Sequence, residues 1–238
     1  MMASARFGTN RVCHMRGARN DLAPTPNTDA PNWQRLDKAA AQAVMQALGS
    51  DIDSGLFPPI ATEVKCLPLP FYRTFMLYRL TNYAALPAFT MDFLSDGNVY
   101  YYLSGAAEPL YRVNERAPIV LREDNVLAYL DFFFRNVKAD DGDIYVIRDP
   151  STLPFMGSLP AQQRAELNAS HQKPSVEFDA LTDSYLVFTT LYYSGGLMRA
   201  VIRVNASGEI DIQDLSLLLS DLAPYFETRS PEDYYARA

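Results

Sequence analysis

The chain has 238 residues, 48% hydrophobic and 12% aromatic, with a formal charge of −7. That length permits one large or two small domains with a sizeable core. The acidic balance excludes nucleic acid as a partner of the body of the chain, because a negative surface repels a phosphate backbone.

Cys13 and Cys66 make neither a disulfide framework nor a zinc set, so a reduced, cytoplasmic setting is expected. No run reaches the ~18 apolar residues of a membrane span. Residues 1–20 carry Arg6, Arg11, Arg16 and Arg19 and no acid, a composition shared with organelle import segments. Import is the alternative to the cytoplasm. Residues 1–31 lack periodicity and read as a tail, with Met15 as an alternative start.

A helix is expected over residues 33–48, capped by Asn32 and striped by Trp33, Leu36, Ala40, Val44, Ala47 and Leu48. Residues 50–70 carry Pro58, Pro59, Pro68 and Pro70 and read as an extended surface connection. A strand over residues 71–81 sets Arg73 and Arg79 among Phe71, Phe75 and Leu77 on one face. Asp96-Gly97 is a preferred two-residue loop pairing residues 89–94 with 99–104. Phe89, Met91, Phe93, Tyr100 and Tyr102 then share a core face. Asp92 falls opposite Tyr101, and it is the acid that an enzyme would use here.

Pro109 and Pro118 break residues 105–122, where short strand pieces are expected at residues 110–113 and 119–121. A helix over residues 125–138, capped by Asp124, carries Val126, Leu127, Leu130, Phe133, Phe134 and Val137 as one apolar stripe. The turn Asp140-Asp141-Gly142-Asp143 lacks the alternating acids of a calcium loop. After a strand at residues 144–148, residues 149–174 are proline-rich, with a short helix near 161–168. Loops of this length are often lids, with Phe155 and Met156 placed to cover an apolar pocket; the alternative is an ordinary surface excursion, with His171 exposed on it.

A strand at residues 176–180 leads into the hairpin 185–204, around which the chain is organised. With Gly195-Gly196 as its two-residue loop, Tyr192 meets Arg199 and Phe188 meets Arg203. Val187, Thr189, Leu191, Tyr193, Met198, Ala200, Ile202 and Val204 form a core face. Phe188, Thr190, Tyr192, Arg199, Val201 and Arg203 form the other, where each guanidinium lies across from a ring. Ala206-Ser207-Gly208 turns the chain into a third strand, 209–213. A short helix follows from Asp214, with Leu215, Leu218, Leu219 and Leu222 on one side, then a tail over 225–238.

Residues 32–224 therefore read as one α+β domain. It is a mostly antiparallel, curved sheet of hairpins with an N-terminal, a central amphipathic and a short C-terminal helix packed on it. There is no GxxxxGK[ST], GxGxxG, GxSxG or HEXXH pattern, and the histidines are only His14 and His171. No catalytic residue, metal ligand set or cofactor is assigned. The leading reading is a non-catalytic binding domain for a small anionic or apolar ligand or for a protein partner. Its site is Phe188, Tyr192, Arg199 and Arg203, with Arg73 and Arg79 as neighbours. The alternatives are a metal-free acid–base enzyme on a small molecule and a structural subunit of a homo-oligomer, such as a homodimer.

Overall fold

A computed structural model describes residues 32–49, 55–139, 142–153, 156–220 and 222. The expected tails, 1–31 and 225–238, and Phe155 of the expected lid lie outside these residues. Within them the fold is α+β, with four helices and two antiparallel sheets of five strands each, neither closed into a barrel. The single curved sheet expected from sequence is thus two.

The first sheet is a meander: β1 (Gln34–Arg35), β2 (Thr62–Pro68), β3 (Met76–Asn82), β4 (Phe89–Ser95) and β5 (Tyr100–Tyr102). Helix α1 (Lys38–Leu48) covers one face, where Ala41, Val44 and Leu48 meet Val64, Leu80 and Phe93. The Asp37 carboxylate accepts from Ala40 N at 2.9 Å. The helix therefore starts after Asp37, not at Asn32, and Trp33 and Leu36 precede it. Strand β2 replaces the expected surface connection: Val64 and Cys66 are buried, while Glu63 and Lys65 alternate onto the opposite face. Strand β3 begins later than expected. Residues 71–75 turn instead, which puts Phe71, Tyr72 and Phe75 into the main core. Strands β4 and β5 pair Ser95 with Tyr100, so their loop has four residues. The Asp96 carboxylate shapes it by accepting from Asn98 N and Val99 N. The longer loop sets Tyr101 opposite Leu94, so the expected pair of Asp92 with Tyr101 does not form, and on its other side Asp92 lies opposite Arg79 of β3.

Helices α2 (Glu108–Arg116) and α3 (Val126–Asn136) follow. The first replaces the expected strand pieces. Pro109 sits in its first turn, where a missing N–H costs no helical bond, and Leu110, Val113 and Asn114 are buried at helical spacing. In α3, Tyr129, Leu130 and Phe132 to Phe134 are all buried.

The second sheet contains β6 (Tyr145–Ile147), β7 (Ser175–Asp179), β8 (Ser184–Tyr193), β9 (Gly196–Asn205) and β10 (Ile210–Leu219). Its order is β10-β9-β8-β6, and β7 pairs with the first half of β8. The hairpin loop is Ser194-Gly195, with φ of 49° and 77°. Tyr193 faces Gly196, so every partner moves by two positions from the sequence register. A shift of two preserves the faces. Val187, Thr189, Leu191, Ala200, Ile202 and Val204 are all buried in the core, as expected. Strand β10 overturns the short C-terminal helix. It stays paired with β9 from Ile210 to Leu219, with irregularities between Ile212 and Asp214 and between Leu217 and Leu219.

The main core draws Leu77 and Leu94 from the first sheet, the inner face of β8 and β9 from the second, and the buried faces of α2 and α3. Each such aliphatic side chain contributes about 1.5–3 kcal/mol by leaving water. A polar knot runs through this core. The Tyr72 hydroxyl donates to Asn114 Oδ1 at 2.6 Å, Asn114 Nδ2 donates to the Ser207 carbonyl at 2.9 Å, and the Tyr129 hydroxyl donates to the Gly208 carbonyl at 2.6 Å. Burial pushes both tyrosines far above the ordinary phenol range, so they act as neutral donors.

Candidate functional site

The outer face of the second sheet carries the hairpin residues singled out in the sequence. Antiparallel pairing sets them in four cross-strand rows. Tyr145, Tyr192, Leu197 and Leu219 form the first, at the hairpin loop. Ile147, Thr190, Arg199 and Ser216 form the second. The third is Ser175, Phe188, Val201 and Asp214, and the fourth is Glu177, Leu186, Arg203 and Asp211. Neither arginine lies directly across from an aromatic ring: Arg199 faces Thr190 and Arg203 faces Leu186. The expected cross-strand Tyr192–Arg199 and Phe188–Arg203 pairs are therefore corrected. The cause is a loop formed one residue earlier than the two glycines indicated.

The first row is not open. Tyr192 and Leu197 are buried with Ile147, Leu153, Leu159, Leu167 and Leu222 in a second core. Helix α4 (Ala161–Ser170) supplies Leu167, and the Tyr192 hydroxyl donates to the Leu222 carbonyl at 3.1 Å. The proline-rich segment read as a lid is, in its described part, a packed cover on this end of the sheet. It is also tied down by the backbone N–H of Gln172, which donates to Thr190 Oγ1 at 3.0 Å.

The remaining rows leave Arg199 exposed and Phe188, Val201, Leu186 and Arg203 half-buried. Glu177, Asp211 and Asp214 share that face, and Asp179 lies at its end. Hydrogen bonds from the Thr182 hydroxyl and the Leu181 N–H hold the Asp179 carboxyl below its usual range, with the charge of Arg203 adding to them. The surface is of mixed sign. Arg203 Nε is buried without a hydrogen-bond partner, as is Nδ1 of half-buried His171.

Arg73 and Arg79 are not brought to this face. Arg73 is exposed in the turn before β3. Arg79 belongs to the first sheet and grips Asp92 in a bidentate pair, Nε–Oδ1 2.8 Å and Nη2–Oδ2 2.6 Å. Its guanidinium also lies 4.7 Å from the centre of the Trp33 ring. The carboxylate nominated as a catalytic acid is thus consumed in an ion pair. Beside it, Glu63 meets Lys65 at 2.7 Å and Arg35 at 3.1 Å. A separate cleft of about 280 Å³ lies between β5 and α2, lined by Tyr100 to Tyr102, Glu108, Pro109 and Arg112.

One feature escaped the sequence reading. Strand β10 ends the sheet, and among the described residues it pairs only with β9. Ile212, Leu215 and Leu217 are 37%, 40% and 60% exposed along it. The signal was the apolar spacing 210, 212, 215, 217, which a strand with one inserted residue produces as readily as a helix. Compared with protein-family models, curated proteins and solved structures, the chain matches none. Among the described residues, no helix is long and apolar enough to cross a membrane, and no cluster of His, Cys, Asp and Glu is arranged to hold a metal.

Proposed function

We propose that the chain is a non-catalytic binding domain whose partner is a protein, engaged along β10 and the adjoining outer face of the second sheet. The observation carrying this reading is β10 itself, a ten-residue edge strand with exposed leucines. Such an edge presents a row of backbone donors and acceptors to an incoming strand. Arg199, Arg203, Phe188 and Val201 extend the surface. Mixed arginine, acid and half-exposed apolar groups suit a protein rim better than an anion site, because Glu177, Asp211 and Asp214 offset the two guanidinium charges. A cytoplasmic setting goes with this reading.

The test places a photo-crosslinking residue at Leu217 or, as a control, at Ile60, which is 99% exposed on a loop. Protein adducts at 217 and not at 60 are expected. The small-ligand alternative replaces this reading if carboxylate ligands raise the Tm of the wild type and that rise disappears in the Arg199→Ala, Arg203→Ala double variant.

A further inference from the structure

The geometry points to a second copy of this chain as the occupant of the β10 edge, paired antiparallel about a two-fold axis through Leu215. This rests on the reading of β10 as a docking edge and names its partner. The strand, IDIQDLSLLL, contains no Lys, Arg or Pro, and although bulges also blunt an edge, its two irregularities leave residues 214–217 regular between them. Its acids, Asp211 and Asp214, both lie in the first half, and residues 215–219 are leucine and serine alone. Antiparallel self-pairing lays the acidic half of one copy beside the apolar half of the other. A parallel arrangement stacks acid on acid.

The outer face selects the register. Residues 214–217 run without irregularity between the two bulges. With Leu215 on the axis, Asp214 of one copy falls opposite Ser216 of the other. Ser216 is the β10 member of the row that contains Arg199. The row then reads Arg199, Ser216, and Asp214 of the second copy. Across two strand spacings, about 10 Å, the long guanidinium arm passes over the small serine to the carboxylate. Arg199 is exposed and makes no salt bridge among the described residues, so it is available for this pair. On the inner face, Leu215 meets its own copy, flanked by Leu217 and Ile212. Both edges are consumed in one isologous contact, so the assembly closes as a dimer.

The experiment uses the full chain. Sedimentation velocity at micromolar concentrations is expected to give about twice the chain mass. Arg199→Glu and Asp214→Arg should each weaken the dimer by roughly tenfold or more, and the two together should restore it. In a Cys13→Ser background, Leu215→Cys should form a disulfide-linked dimer under mild oxidation. Paired residues stand roughly 4.5–5.5 Å apart at Cα, inside the disulfide range. Ser216→Cys should not cross-link. A monomeric wild type, a dimer indifferent to both charge changes, or cross-linking at 216 in place of 215 overturns the proposal. If the wild type is monomeric while adducts at 217 join it to a different protein, the docking edge stands and the self-pairing fails.

Discussion

The hydroxyl of Tyr129 donates to the carbonyl of Gly208 at 2.6 Å, and a Cβ added at 208 would stand 2.5 Å from the Tyr129 hydroxyl oxygen. The glycine has φ of +82°, and the added carbon would also lie 2.5 Å from Asn114 Nδ2 and 2.6 Å from Ile119 Cδ1. This contact fastens the β9–β10 turn onto α2 and α3. Gly208→Ala combines backbone strain with a clash in a packed polar knot. It should cost about 3 kcal/mol or more, visible as a fall in Tm of roughly 6–12 °C. Tyr129→Phe keeps the ring but leaves the Gly208 carbonyl buried without its donor, and about 1–3 kcal/mol is expected by urea unfolding.

The Arg79–Asp92 pair should show strong coupling for an ion pair at a sheet face. Its side chains are only 16% and 17% exposed, and the geometry is bidentate. A double-mutant cycle with Arg79→Ala and Asp92→Ala is expected to give about 1–2 kcal/mol, above the range of exposed pairs. Arg79→Lys should recover only part of it, because an ammonium neither forks onto the carboxylate nor stacks on Trp33.

Glu63 sets an acid-side dependence. Burial alone would push its carboxyl up, but the hydrogen bond and charge of Lys65, the charge of Arg35 and the Tyr83 hydroxyl together hold it below the ordinary 4.5. A carboxyl lowered by folding contributes stability that is present above its ordinary value and lost as pH falls through the folded one. Wild type should therefore lose stability below about pH 4.5 more steeply than Glu63→Gln, read from urea midpoints across the acid range. Parallel curves would remove Glu63 from the acid response.

Arg203 and Leu197 share the outer face but should behave oppositely. Leu197→Ala opens a cavity in the second core and should cost about 2–5 kcal/mol. Arg203→Met removes a buried Nε that has no partner, so stability should stay within about 1 kcal/mol of wild type and lean upward. A large loss in Arg203→Met would mean that the guanidinium supports the fold.

The hairpin shows which information survives in a sequence. Its two faces were legible because side chains alternate with a period of two, and an error of two positions leaves the faces unchanged. The partners were not. The second glycine belongs to β9, where an added Cβ would lie 3.1 Å from Leu217 Cδ1 and 3.2 Å from the Leu219 carbonyl. Its small size serves the approach of β10, and Ser194 takes the left-handed turn position instead. The same slip recurs at Asp96-Gly97, where the Asp96 carboxylate organises a loop longer than the dipeptide indicates.

What the sequence determined by itself was local: the α+β class, helices α3 and α4 to within a few residues and the C-terminal end of α1, the core face of β8 and β9, and the hairpins β4–β5 and β8–β9. Each follows from period, capping and turn chemistry within a short window. Tertiary structure decided the rest. It divided the strands between two sheets, sending Arg79 to Asp92 and Trp33 while Arg199 and Arg203 stayed on the other sheet. It buried Tyr192 under the segment read as a lid. It drew residues 214–219 into β10, where pairing with β9 outweighed a leucine spacing that also fits a helix. These outcomes depend on contacts between segments distant in the chain, and local periodicity is blind to them because it records which side of an element is apolar and not what will cover it.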